Sequence, residues 1–246
     1  VKFLLTRYPT LETVMALTVD STLDEIAQIH KSKPLFGHPL WTAWGSGKLT
    51  KRQLQECVKQ VGIIPLHNHH YHGRLYVICP DPQWRIRIAE VCYEEGTGRL
   101  YANGVSHHEL YVQFASALDI SREELYSTQY CSGAIAFKAY FSAICGKNFL
   151  EGVSAHMLAA EAPVPAHGSK RADALRNYYG LSDDDVTFFT VHEVADDDHS
   201  NIGRELLSEF ANSDEDFQRV LRTVGECLDM MKLMYDSIYE TVKAVH

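Results

Sequence analysis

The sequence predicts an all-α bundle of about seven to nine helices folded as one domain. Three observations predict it. Apolar residues recur three and four positions apart through most of the chain, no stretch alternates apolar and polar residues as a strand would, and cap-like residues punctuate the chain. The 246 residues are 46% hydrophobic, enough for a sizeable core. No repeat or low-complexity linker divides them.

The elements follow in order. "STLDEIAQIHK" opens on Ser21 or Thr22 as a cap and carries Leu23, Ile26, Ala27 and Ile29 at helical spacing. "HPLWTAWGSGKLT" is a short helix ending at its glycines. Thr50 caps a longer helix, "KRQLQECVKQVGIIPLHNHHYHGRLYVIC", in which Pro65 introduces a bend. "PDPQWRIRIAEVCYEEG" starts at prolines and stops at Gly96. "SHHELYVQFASALD" and "SREELYSTQY" come next, the second opened by a capping box of Ser121 and Glu124. "SGAIAFKAYFSAICG" is apolar nearly all round and is expected at the centre. "NFLEGVSAHMLAAEA" leads into "PVPAHGSKRADALRNYYG". Ser182 caps a long segment that contains "HEVADDDHS", and Ser213 opens the last helix. Residues 1–20, mildly apolar but interrupted by Arg7, Pro9 and Glu12, make a poor signal peptide and read as an N-terminal docking arm; residues 21–246 form the single domain.

The formal net charge of -9 argues against a nucleic-acid or anionic-membrane partner. No apolar run approaches the roughly 18 residues that cross a bilayer. Six cysteines are scattered with no CxxC pair, the usage of a reducing compartment, and the expected location is cytoplasmic. The methionine-rich last helix, "CLDMMKLMYDSIY", suits either core packing or a homodimer.

Chemistry enters at "HEVADDDHS". His192, Asp196 and His199 stand at i, i+4 and i+7, within about 60° of one another on a helix. Two imidazoles and a carboxylate on one stripe can form half of a metal site, and they can equally be a solvated face. Further ligands are offered by Glu94 and Glu95 at a helix end, by His107 and His108 opening the next helix, and by Glu161 in an otherwise apolar run. Burying Glu161 without a cation would cost several kcal/mol. Each of these residues also has a plain reading as a hydrated helix end.

Taken in order, a Glu, a His ahead of "ELY", a Glu before "PVP" and His-x-x-x-Asp-x-x-His resemble the haem-oxygenase-like diiron oxidases, relatives of pyrroloquinoline-quinone synthase and the TenA proteins. "FGHPLWTAWGSGKLTKRQLQE" resembles the first core segment of the same group, and the likeness runs from about Leu35 to Leu207. The resemblance implies a haem-oxygenase-like helical bundle. It implies Glu95, His107 and Glu161 as ligands of one iron, with Glu95 preferred to Glu94 and His107 to His108. It implies His192, Asp196 and His199 as ligands of a second. Two ferrous ions, one of them labile, would activate O2 with an external reductant and oxidise a small molecule.

The substrate is less legible. His69, His72 and Tyr76 share one helical face and, with Arg171, are candidates to line a substrate pocket; Arg74, Lys138 and Lys170 are further partners for a carboxylate. The histidines and tyrosines favour an amino-acid-derived or amine substrate. Oxidative carbon–carbon cleavage, N-oxygenation and nitrile formation are all open. The same fold also hosts fatty-acid oxidative decarboxylases and p-aminobenzoate synthases. The latter usually carry a lysine in the helix after "VP", where this chain has Arg171. Two rival classes remain: a metal-independent TenA-type thiamin hydrolase using a cysteine such as Cys131, and a non-enzymatic helical interaction protein.

Overall fold

A computed structural model describes residues 16–162, 165–191 and 196–246, with the side chains of 165–167 and 196–201 outside the description. Most of the arm assigned to residues 1–20 lies outside the described residues. Among the described residues there is no strand, and no helix is long and apolar enough to cross a membrane.

The first helix, α1 (Val19–Ser32), starts earlier than the sequence suggests. Thr18 is its cap: Thr18 Oγ1 accepts the Ser21 N–H at 3.1 Å, while Ser21 Oγ accepts the Thr18 N–H at 2.9 Å. Ser21, one of the expected caps, is thus the return half of the capping box. The short α2 (Pro39–Gly45) precedes α3 (Lys51–Val61), which is capped by Thr50 as expected.

The long helix expected after Thr50 is two helices. Gly62 ends α3, Pro65 opens a separate 3-10 turn (Pro65–His67), and α4 runs from Asn68 to Ile78. Pro65 has no N–H to bond the Val61 carbonyl, so the ladder breaks there rather than bending.

Next come α5 (Pro82–Thr97), α6 (His107–Ala117), α7 (Arg122–Tyr126) and α8 (Ser132–Ile144). The short α9 (Phe149–Val153) passes into a π-helical segment, Ser154–Glu161. The rest is α10 (Pro165–Tyr179), α11 (Thr187–Thr190), α12 (Asp196–Phe210) and α13 (Asp214–Lys243). Ser182 opens a turn rather than a long helix: its Oγ accepts the Asp185 N–H at 3.3 Å, and α11 is only 4 residues long.

The 30-residue α13, about 45 Å long at 1.5 Å per residue, is the spine against which α8, α3, α1 and the π segment pack. Its partner α8 approaches closely through Gly133, where a Cβ would meet Ser237 Cβ at 2.5 Å. The outer side of α8 faces solvent, with Ile135 56% exposed, so α8 is a flank of the bundle and α13 its centre.

Candidate metal centre

The end of α5 supplies adjacent acids with different surroundings. Gly98 closes α5 at φ +62°, and a Cβ there would meet the Val105 carbonyl oxygen at 1.9 Å, so the following loop folds back only because this residue is glycine. The loop then gives its N–H groups to Glu94, whose carboxylate accepts Leu100 N–H at 2.6 Å and Tyr101 N–H at 3.1 Å. Ser106 caps α6 and sets His107 as its first residue.

His107 stands between the two acids, with Nε2 at 3.3 Å from Glu94 Oε1 and Nδ1 at 3.1 Å from Glu95 Oε1. Glu95 Oε2 accepts a hydrogen bond from Asn68 at 3.1 Å, which ties α5 to α4. Burial opposes protonation of His107, yet the carboxylates of Glu95 and Glu94 raise its pKa above the ordinary imidazole value.

The π segment faces this group. In an α-helix His156 and Glu161 would diverge by about 140°. Here the Ala162 N–H donates to the Met157 carbonyl, an i to i+5 bond of 3.2 Å. With that wider turn, residues five apart come onto one side. His156 Nε2 lies 3.5 Å from Glu161 Oε1. His72 of α4 completes the group, its Nε2 at 3.8 Å from the same oxygen and its ring centroid 4.4 Å from that of His156. The Leu158 carbonyl accepts a 2.7 Å bond from the His30 ring on α1, fastening the segment from its other side.

One ligand atom from each of His72, His156 and Glu161 lies within 4.8 Å of the others. Both histidines are 2% exposed, and neither nitrogen of His72 has a hydrogen-bond partner. An orphaned buried nitrogen costs about 1–3 kcal/mol, which a bound cation would relieve. Burial works against charging His72, but Glu161 and Glu95 outweigh it and raise the pKa. Imidazoles and carboxylates together are the donor set of non-haem iron or manganese, so these residues fit such an ion.

The group opens on a cavity of about 400 Å³ with an aromatic wall that includes Trp41, Trp44, Phe141 and Phe189. Glu94, Glu95, His107, His156 and Glu161 line it, as does Arg171. The Arg171 guanidinium lies 4.2 Å from the Trp41 ring centre and 4.7 Å from that of Phe36, and its buried Nε has no hydrogen-bond partner. Desolvation lowers its pKa, and no carboxylate among the described residues pairs with it. The other arginine on the wall, Arg87, is paired with Glu205.

Of the residues singled out from sequence, Glu95, His107, Glu161 and Arg171 meet at this cavity. His72 also reaches the interior, as a neighbour of Glu161. His69 and Tyr76 do not join it: His69 is exposed, Tyr76 is 42% exposed, and neither lines the cavity. Their helix buries Tyr71, His72 and Leu75, so its inward face lies off the expected stripe. His108 points to Tyr126 Oη at 2.8 Å, and Lys138 to His67 at 3.1 Å. Cys131 caps α8 and is not among the cavity-lining residues.

His192 lies outside the described residues, and Asp196 and His199 belong to α12 with side chains outside the description. The residues that bracket them, Val191 and Ile202, both line the cavity. His156 was missed from sequence, because a helix of ordinary pitch turns it away from Glu161.

The family described as iron-containing redox enzyme matches residues 55–232. A 4-aminobenzoate synthase of Chlamydia muridarum is 29% identical over 226 residues, 91% of this chain and 92% of its own length. A Shewanella denitrificans domain with a heme oxygenase-like fold superposes with a TM-score of 0.73 at 15% identity, covering 92% of this chain and 94% of its own. A TenA homologue of Pseudomonas syringae gives 0.72 at 12% identity, covering 95% and 98%. These two likenesses establish the fold. The chain belongs to the family of iron-containing redox enzymes built on the haem-oxygenase-like fold.

Proposed function

We propose that the protein is a non-haem diiron oxidase that uses O2 and an external reductant to oxidise an amino-acid-derived or amine substrate bearing a carboxylate. The observation that carries this reading is the meeting of Glu95, His107 and Glu161 on one aromatic cavity with Arg171, which no carboxylate among the described residues pairs. Glu95, His107 and Glu161 would hold one iron. His192, Asp196 and His199 would hold the other; on a helix, 196, 199 and 203 fall on one stripe, and Gly203 abuts Leu158 of the π segment. Two ferrous ions bound there would supply the electrons for O2 reduction.

The chain's own residues do the rest. Glu94, engaged with the loop amides, orients His107 through Nε2 and leaves Nδ1 for the metal side beside Glu95. Arg171, stacked against Trp41 and Phe36, offers its guanidinium, whose buried Nε has no hydrogen-bond partner, to a carboxylate. The aromatic wall keeps water from the oxidant and packs against the substrate's apolar body.

Relatives named 4-aminobenzoate synthase favour that reaction as a second reading. Arginine at 171 weighs against it, since a guanidinium does not give up an amine as a lysine could. The test is anaerobic ferrous titration followed by O2 consumption over a panel of amino acids and aromatic carboxylates. About two ferrous ions per chain and substrate-dependent O2 uptake are expected. Formation of 4-aminobenzoate without added substrate selects the second reading, and absence of iron uptake removes both.

A further inference from the structure

We propose that His72, His156 and Glu161 form a metal position of their own, a two-histidine, one-carboxylate triad that takes a divalent ion without help from α12. The proposal rests on the diiron reading only for the identity of the physiological ion. The ligand set carried by the family resemblance uses Glu161 but neither histidine. Those histidines are nonetheless almost wholly enclosed, each 2% exposed.

The geometry is close to coordination. Metal–nitrogen and metal–oxygen bonds of about 2.1 Å place neighbouring donors roughly 3.0–3.5 Å apart. The two histidine nitrogens stand 3.5 and 3.8 Å from Glu161 Oε1 and the three ligand atoms lie within 4.8 Å of one another, so closing on an ion needs movements of up to about an ångström. His72 has both nitrogens buried and without a hydrogen bond, an arrangement that packing alone does not explain. The π turn brings His156 onto the side of Glu161, and π turns concentrate at functional sites. Two imidazoles and one carboxylate with further positions open is the donor set of many mononuclear ferrous oxygenases.

The consequence is an asymmetric centre. The ion that Glu161 holds is completed either by His72 and His156 or by Glu95 and His107, so the two ligand sets are alternative positions for one ion, and that ion stays whatever α12 does. The other ion depends on the stripe at 192–199.

Cobalt(II) is the probe. In a D196A/H199A/H107A variant of the full chain, dialysis is expected to leave about one cobalt per chain. Adding His72→Phe or His156→Phe is expected to weaken that binding at least about ten-fold. No cobalt in the triple variant, or no effect of either phenylalanine, overturns the proposal. Because these variants can fail to fold, cobalt is also located by anomalous diffraction in crystals of the unaltered chain. A peak within bonding distance of His72, His156 and Glu161 is expected, and peaks only elsewhere overturn it. The diiron reading fails separately, if the unaltered chain takes up a single ferrous ion and consumes no O2 while the triad peak is present.

Discussion

The spine helix α13 and the π segment it packs against follow opposite rules. Along α13 the buried residues Phe217, Val220, Leu221, Val224, Cys227, Leu228 and Met231 recur three and four apart, and Ser213 caps the start. Every turn repeats the last, and the helix serves as the scaffold, reaching the cavity wall with Met231 and Tyr235. The π segment breaks that repeat within 8 residues, and in doing so sets His156 beside Glu161. Regular pitch builds the core here, and the departure from it builds the chemistry.

The contrast is broken most severely at Glu161, which serves both the family ligand set and the triad. Glu161→Ala is expected to reduce iron uptake and O2 consumption at least about a hundred-fold, read by metal analysis and an oxygen electrode, while the apo chain unfolds at nearly the parent's denaturant midpoint. A scaffold residue should behave in the opposite way. Leu228→Ala, at a fully buried position of α13, should cost about 2–5 kcal/mol in urea unfolding and leave cobalt affinity unchanged. If both variants lose metal and stability alike, the division between spine and site is not real.

Arg171 sharpens the comparison, because a residue kept for function need not help the fold. Arg171→Met is expected to raise KM for carboxylate substrates about ten- to a hundred-fold while unfolding no more easily, since the variant no longer buries a cation that no acid among the described residues pairs. Lower stability with unchanged KM would make Arg171 structural.

How far the sequence foretold this division follows from the same contrast. The capping boxes at Thr50 and Ser121 rest on local hydrogen bonds, so helix starts could be read there. That Glu95, His107 and Glu161 come together at one cavity could be expected because their order resembles a family motif. The split between α3 and α4 could not, because Gly62 and Pro65 act together with the packing of Leu66 and Tyr111 around that turn. His156 could not, because a wheel drawn at 100° per residue puts it about 140° from Glu161. His69 and Tyr76 went astray for the same kind of reason: α4 has no clean apolar face from which to find its inward side.

The smallest effect expected is at His67, just before α4. Burial, with Lys138 alongside, lowers its pKa from 6.5 to about 4. Between those values the unfolded chain takes up a proton that the folded chain refuses, so stability falls as pH drops through that window. His67→Gln should remove about 1 kcal/mol of that loss, a value reduced from the full shift because the ring is half-buried. Unfolding midpoints at pH 7 and 4.5 for both chains check it.

The claim that two structurally unlike halves share one metal centre is tested most directly by anaerobic ferrous titration of the parent chain and of a D196A/H199A variant. The account predicts about two ions for the parent and about one for the variant, the survivor being held by the α4, α5, α6 and π-segment residues. Equal uptake by the two chains, or none by either, would contradict it.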